Sequence, residues 1–299
     1  MRRVSLLVAL LAALGGCGGE AGDRVGASIA LDFQPNAVHA GIYAANLGVR
    51  VPSSSTDSLK LLASGRADLA VVDIHDLGLA RERGADIVGV GALVQRPLAA
   101  VIARAGIRRP RDLEGKRVGV TGLPSDDAVL RAVVEHDGGD YARVKSTTIG
   151  FSAVPSLIAG RVDAVVAFWN AEGVALRRRG VRTREFRVDD YGAPHYPELV
   201  LATRTSTLRR RPERVEQALA DIRHGTVLAL RNRKATIARL AEASGAERAL
   251  VSAQLQAVSP ALVPPVALDR DALEGWADFD TRFGILKRRP DVDGAFPPR

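Results

Sequence analysis

One cysteine, one methionine and two tryptophans are all that 299 residues hold of those types, and aromatic residues make up only 4% of the chain. A lone Cys17 cannot close a disulfide within the chain and cannot build a thiolate metal site by itself. The five histidines, at 39, 75, 136, 195 and 224, are scattered and lack the spacing of a metal-binding helix. No glycine-rich phosphate loop and no Ser-His-Asp arrangement is present, so neither nucleotide hydrolysis nor acyl transfer has a residue to nominate, and no cofactor is called for. Lysine is scarce too, five against 37 arginines, and the net charge of +8 is therefore an arginine charge. The runs Arg177-Arg178-Arg179 and Arg209-Arg210-Arg211 precede Gly180 and Pro212, where cations complement a helix C-terminus. With no stacking aromatics and no DNA-binding motif beside them, nucleic acid is excluded as a partner.

The apolar run Val4 to Leu14 is too short to span a bilayer. It follows Arg2-Arg3 and leads into Leu14-Gly15-Gly16-Cys17, a pattern that resembles a bacterial lipobox, in which the Cys is acylated and becomes the mature N-terminus. Residues 1–17 are thus expected to be a lipoprotein signal, and 18–26 a flexible tether. The expected location is extracytoplasmic, with the protein held to the membrane by lipid on Cys17.

The remaining chain, 46% hydrophobic and 25% charged over the whole sequence, suits a globular protein of two domains. Strand and helix signals alternate, which predicts an α/β class. Strands are expected at Ser28–Leu31, Val49–Val51, Ala67–Val72, Ile87–Val94, Val118–Val120, Ser146–Ile149 and Val162–Phe168. Helices are expected at Val38–Asn46, Asp57–Ser64, Ile74–Arg83, Ser125–Asp137 and Val154–Ala159, with helices throughout Pro212–Phe283. Two further extended runs, Leu98–Ala103 and Glu198–Thr203, match each other. Leu62-Ala63-Ser64-Gly65-Arg66-Ala67-Asp68 recurs in kind as Leu157-Ile158-Ala159-Gly160-Arg161-Val162-Asp163: a helix end, a Gly-Arg turn, an Asp and a buried strand. The glycines suit a left-handed helix cap. Two lobes of similar build follow, 27–100 with 201–299 and 101–200, joined by the two extended runs as a hinge.

The densest set of ligand-competent groups lies in Leu31–Tyr43, where a strand ends at Asp32 and Phe33 and a helix begins after Asn36. Strand ends of this kind are where α/β sheets bind ligands. Asp32 reads as a contact residue, with a turn carboxylate as the alternative. His39 reads equally as a packing residue, and Tyr43 as core. Trp169-Asn170-Ala171-Glu172 stands directly after an apolar strand, where a Trp and a charge together are poor core material. Asp73 is a further strand-end candidate. Ser125 and Asp126 open a helix and read as N-cap and dipole partner or as contacts. Asp190-Tyr191 before Gly192 reads as a rim turn.

Leu31–Tyr43, Leu62–Asp68, Arg111–Val120, Gly122–Leu130, Phe168–Gly173 and Val188–Leu201, in that order, resemble the type II periplasmic-binding fold. Within it they are similar to bacterial solute-binding lipoproteins related to thiamine-pyrimidine synthase. The resemblance covers the mature chain to about Ala202 and implies a monomeric binding protein that delivers a thiamine pyrimidine precursor, such as a formylaminopyrimidine, to an ABC permease and ATPase. Riboflavin-like or alkanesulfonate ligands are the alternatives. An aminopyrimidine offers amino donors, ring-nitrogen acceptors and a π face, so carboxylates, an amide and flat rings would hold it. Asp32, Asn36 and Glu172 would bond its edge; Phe33, Tyr43 and Trp169 would sandwich the ring. The synthases of this group use a Lys-bound pyridoxal phosphate, a His and a Cys-rich iron motif. The corresponding segment Val71–His75 keeps a His and has no Lys, and an enzyme is not expected. Asp73-Ile74-His75 stands where relatives carry an aromatic-amide pair, and Ala171 where an aromatic is common.

Overall fold

The computed structural model describes residues 26–45, 47–52 and 57–298. The signal segment, Cys17 and the tether up to residue 25 lie outside them. Ten strands form among the described residues: β1 (Ser28–Ala30), β2 (Gly48–Arg50), β3 (Leu69–Asp73), β4 (Ile87–Ala92), β5 (Ala99–Arg104), β6 (Arg117–Val120), β7 (Lys145–Thr148), β8 (Ala164–Phe168), β9 (Thr183–Arg187) and β10 (Leu199–Arg204). They assort into two five-stranded sheets of one layout, β2-β1-β3-β10-β4 and β7-β6-β8-β5-β9. In the first, β1 runs parallel to β2 and β3, and β10 is antiparallel to β3 and β4. In the second, β6 runs parallel to β7 and β8, and β5 is antiparallel to β8 and β9.

Each sheet therefore takes its one reversed strand from a crossing segment. The chain leaves the first sheet after β4 to enter the second as β5, and returns after β9 as β10. These are two α/β lobes joined by two crossings, as the paired extended runs predict. The crossing strands are apolar over nearly their whole length, AAVIAR and LVLATR, and only the terminal Arg of each is not buried. A run of that kind suits a strand covered on both faces.

The recurring segment does the same work in both lobes. Gly65 and Gly160 end their helices at φ 75° and 69°, the left-handed region that a side chain resists. The arginine that ends the crossing strand packs on each turn: a Cβ at Gly65 would lie 2.7 Å from Arg204 Nη1, and one at Gly160 3.0 Å from Arg104 Nη2. The aspartates then pin the first strand of each lobe. Asp68 Oδ2 accepts from the Ser28 backbone N–H at 2.8 Å, and Asp163 Oδ2 accepts from the Arg117 backbone N–H at 2.9 Å.

Four details differ from the sequence reading. Beyond Asn36 the backbone first forms a 3-10 turn, Ala37–His39, and continues as a short helix, Ala40–Ala44; Asn46 lies outside the described residues. The helix expected from Ser125 starts at Pro124 with Leu123 at the N-cap, because proline is pre-set for the first helical position. The sequence reading has no counterpart for β9: its residues TREFR carry three charges on an edge strand, and the apolar signal is faint. The tail helix Arg248–Val258 packs against both the Ala37–His39 turn and the Val174–Arg178 helix of the second sheet's lobe. No helix among the described residues is long and apolar enough to cross a membrane.

Candidate functional site

The carboxyl ends of β1, β3, β6 and β8 face one another across a cavity of about 160 Å³. That is close to the ~150 Å³ cavity known to hold one benzene ring. Its lining is acidic. Asp32, Asp73, Asp76, Asp126, Glu172 and Glu198 all reach it, while no Lys, Arg or His does among the described residues, on a chain whose net charge is +8.

On the first lobe the loop after β1 is organised by His39, which is fully buried. Its Nδ1 accepts the Asn36 backbone N–H at 3.2 Å, so its Nε2–H is free to donate to Asp32 Oδ1 at 2.7 Å. The Asn36 side chain accepts the Val38 N–H at 3.0 Å and donates to the Gln34 carbonyl at 3.1 Å. Asp32 and Asn36 are thereby fixed at the cavity edge by the turn they begin. Phe33 closes the mouth by stacking on Phe151 of the other lobe, with ring centroids 5.1 Å apart and planes at 28°. Both rings are exposed, at 37% and 61%, and stand at the rim and outside the core.

On the second lobe β8 runs into one turn of π-helix, Trp169–Gly173, a rare form that widens the backbone and is frequent at functional sites. It directs Asn170 and Glu172 at the cavity. Glu172 Oε2 accepts the Phe168 N–H at 3.1 Å, and burial raises its pKa. Asn170 is 2% exposed, and its Oδ1 has no hydrogen-bond partner. Asp126 accepts from Thr121 Oγ1 at 2.6 Å and from the Gly122 and Leu123 N–H groups at 2.7 and 2.9 Å. Burial still lifts its pKa, and the carboxylate organises the helix start while lining the cavity.

The cavity floor is built by Asp73, the last residue of β3, and Glu198, which directly precedes the neighbouring β10. Asp73 accepts the His75 N–H at 2.8 Å and caps the helix Ile74–Glu82. Glu198 Oε2 accepts the Leu98 and Ala99 N–H groups at 2.9 and 3.2 Å, at the point where the chain crosses between lobes. Beneath them His75 Nδ1 meets Asp280 Oδ1 at 2.6 Å, and Nε2 meets Tyr196 Oη at 3.3 Å. Burial opposes charge on His75, but Asp280, Asp73 and Glu198 outweigh it and carry its pKa up to about 10. Burial pushes Asp73 well above the ordinary carboxylate range and raises Glu198 as well.

Of the residues nominated from sequence, Asp32, Phe33, Asn36, Asp73, Ser125, Asp126, Asn170 and Glu172 line this cavity. Four do not. His39 stands behind Asp32 and orients it. Tyr43 turns to a separate hollow beside Leu228 and Arg239. Trp169 is 3% exposed; its Nε1–H donates to the Pro97 carbonyl at 3.0 Å, and the Arg187 guanidinium lies 4.2 Å from a ring centroid, so it is core at the crossing and not a stacking platform. Tyr191 packs edge-on against His136 and Phe186. Sequence reasoning passes over Phe151, Phe168, Thr121, Asp76 and Glu198. Phe168 was within reach, because the recurring segment places it opposite Asp73. Phe151, an isolated ring after Gly150, carries no such signal.

Residues 36–236 match the family described as NMT1/THI5 like. The chain belongs to that family. A formylaminopyrimidine-binding protein from Halalkalibacterium halodurans is 36% identical over 187 residues, 58% of this chain and 57% of that protein. A putative thiamine biosynthesis protein from Haemophilus influenzae is 31% identical over 195 residues, 60% and 62% of the two chains. The NMT1/THI5-like chain therefore spans less than two thirds of either relative. The periplasmic aliphatic sulphonate binding protein SsuA from Escherichia coli superposes with a TM-score of 0.75 over 91% of this chain and 97% of its own, at 16% identity, a likeness of fold.

Proposed function

We propose that this chain is the extracytoplasmic solute-binding component of an ABC importer, a monomer anchored through Cys17 that captures a small aminopyrimidine, such as a formylaminopyrimidine, by closing two lobes on it. Family membership and the relative that binds a formylaminopyrimidine support the solute class. The observation that carries the reading is the cleft: six carboxyls, one buried amide with a free acceptor, and the Phe33–Phe151 pair at its mouth. Such a lining accepts N–H donors and covers a flat ring. A sulfonate needs cations or converging N–H donors, and the described residues of the lining, which include neither Lys nor Arg, speak against that alternative. The enzyme reading is not supported either, because Val71–His75 offers no lysine for a Schiff base. A solute that touches both lobes stabilises the closed form by its differential affinity, and an importer then has a distinct shape to recognise.

Thermal-shift screening of protein lacking residues 1–17 tests this. An aminopyrimidine at ~100 times its Kd is expected to add about 2.7 kcal/mol, with riboflavin and alkanesulfonates inert. A sulfonate as the one strong stabiliser would overturn the reading. Replacing Cys17 by Ala is expected to release the protein from the membrane fraction; unchanged membrane association would remove the lipid anchor.

A further inference from the structure

The cleft floor holds more acid than its surroundings neutralise. Asp73 ends β3 and Glu198 directly precedes β10, and their carboxyl oxygens lie close enough that two negative charges would repel and one proton held between them relieves the repulsion. Their oxygens and a ring nitrogen of His75 all lie within 4.8 Å of one another. The imidazolium of His75 is matched by Asp280 at 2.6 Å. With one proton between them the carboxyl pair keeps one negative charge, which no Lys or Arg of the cavity lining offsets among the described residues.

One further acid stands directly against the pair. Asp76, from the Ile74–Glu82 helix, faces Asp73 and is itself faced by Arg83 and by Asp126 of the second lobe, while Asp189, in the turn after β9, is taken up by Arg96 at 2.6 Å. Tyr196 stays protonated, its pKa raised by burial and by the carboxylates nearby. One further acceptor lines the same cavity: Asn170 Oδ1, on a side chain only 2% exposed, has no partner. A buried amide oxygen left unbonded loses free energy that an N–H donor would restore.

We propose that Asp73, Glu198 and Asn170 form a cation subsite that takes a protonated nitrogen base, an ammonium or amidinium arm of the solute, whose N–H donors replace the proton shared by the two carboxyls. That proton leaves to solvent, so binding of a base already charged in solution releases it. The subsite rests on the reading of the cleft as a solute site and names the charge of what enters. Its position has a mechanical consequence, because Glu198 also holds the first N–H groups of β5: a cation on this pair touches the crossing about which the lobes would close.

Calorimetric titration at pH 7 in two buffers of different ionisation enthalpy tests it. The probes are 4-amino-5-aminomethyl-2-methylpyrimidine with its ammonium arm, 4-amino-5-hydroxymethyl-2-methylpyrimidine with a neutral one, and benzamidine. The ammonium probe is expected to bind about ten- to hundredfold more tightly than the hydroxymethyl one, the worth of a hydrogen bond to a charged group. It should release about one proton, and the neutral probe none. Asp73→Asn keeps a capping side chain for the His75 N–H and is expected to fold; it should lose the proton release and most of the preference. Glu198→Gln should do the same. Should it fail to fold, the wild-type proton count and Asp73→Asn still decide. Equal affinity for both pyrimidines without proton exchange overturns the subsite and leaves the pyrimidine reading standing. Benzamidine binding with proton release, and no pyrimidine binding, does the reverse. No binding of any probe overturns both.

Discussion

In both lobes a helix ends at a left-handed glycine, an aspartate pins the first strand, and an apolar strand runs toward the cleft, yet the two strands end in opposite chemistry. The first delivers Asp73-Ile74-His75 and the second, ninety-five residues on, Phe168-Trp169-Asn170. Asp73 and Phe168 both line the cavity, one as an acid and one as a ring. The repeat therefore supplies position, and the residues just past it supply character. At these two strand ends the first lobe gives an acid and a buried ion pair, the second a ring and an amide. A flat, donor-bearing solute between them meets complementary faces on its two sides.

The difference is sharpest at the buried His75–Asp280 pair, which has no counterpart in the second lobe, where the matching residue is Asn170. Asp280→Ala leaves an imidazolium buried at 1% exposure without its partner and is expected to cost about 3–5 kcal/mol in chemical denaturation. A loss under about 1 kcal/mol would mean that the histidine is not charged. The same pair predicts a pH dependence. A pKa carried up to about 10 from an unfolded value near ~6.5 contributes stability that is complete below the lower value and is lost as pH rises through the upper one. The raised acids Asp73 and Glu198 act with the same sign at lower pH. The melting temperature of the ligand-free protein should fall between pH 7 and pH 10, and His75→Gln should flatten that fall; a rise over this range would reverse the assignment.

If the scaffold is truly repeated, Gly65→Ala and Gly160→Ala should each destabilise by about 1–2 kcal/mol, the cost of a side chain in the left-handed region. Equilibrium unfolding that showed only one of them sensitive would break the equivalence. The smallest effect is expected at the rim. Phe151→Ala, at an exposed position, should change stability by less than about 0.5 kcal/mol while accelerating solute dissociation in stopped-flow measurements; unchanged dissociation would remove Phe151 from the mouth.

Much of this frame is legible in the sequence because it depends on local signals. Alternating strands and helices, the Gly-Arg turns and the matched apolar runs before Arg104 and Arg204 declare two lobes and two crossings. Asp32, Asn36 and Glu172 are legible as strand-end polar groups. The errors share one cause. Trp169 reads as a ligand platform because a Trp after an apolar strand is conspicuous, but its neighbours in space, Arg187 and the Pro97 carbonyl, are distant in sequence and make it core. Glu198 reads as the edge of an extended run, and its pairing with Asp73 comes from strand order.

The sequence by itself determined the class, the repeat and the identities of the groups at each strand end, since periodicity, turn residues and side-chain chemistry are properties of neighbours along the chain. Only the tertiary structure decided which of those groups share a cavity, which are spent on holding the fold, and that two carboxyls 125 residues apart stand over a buried imidazolium. Those outcomes depend on distance and dielectric, and neither exists until the strands have been set side by side.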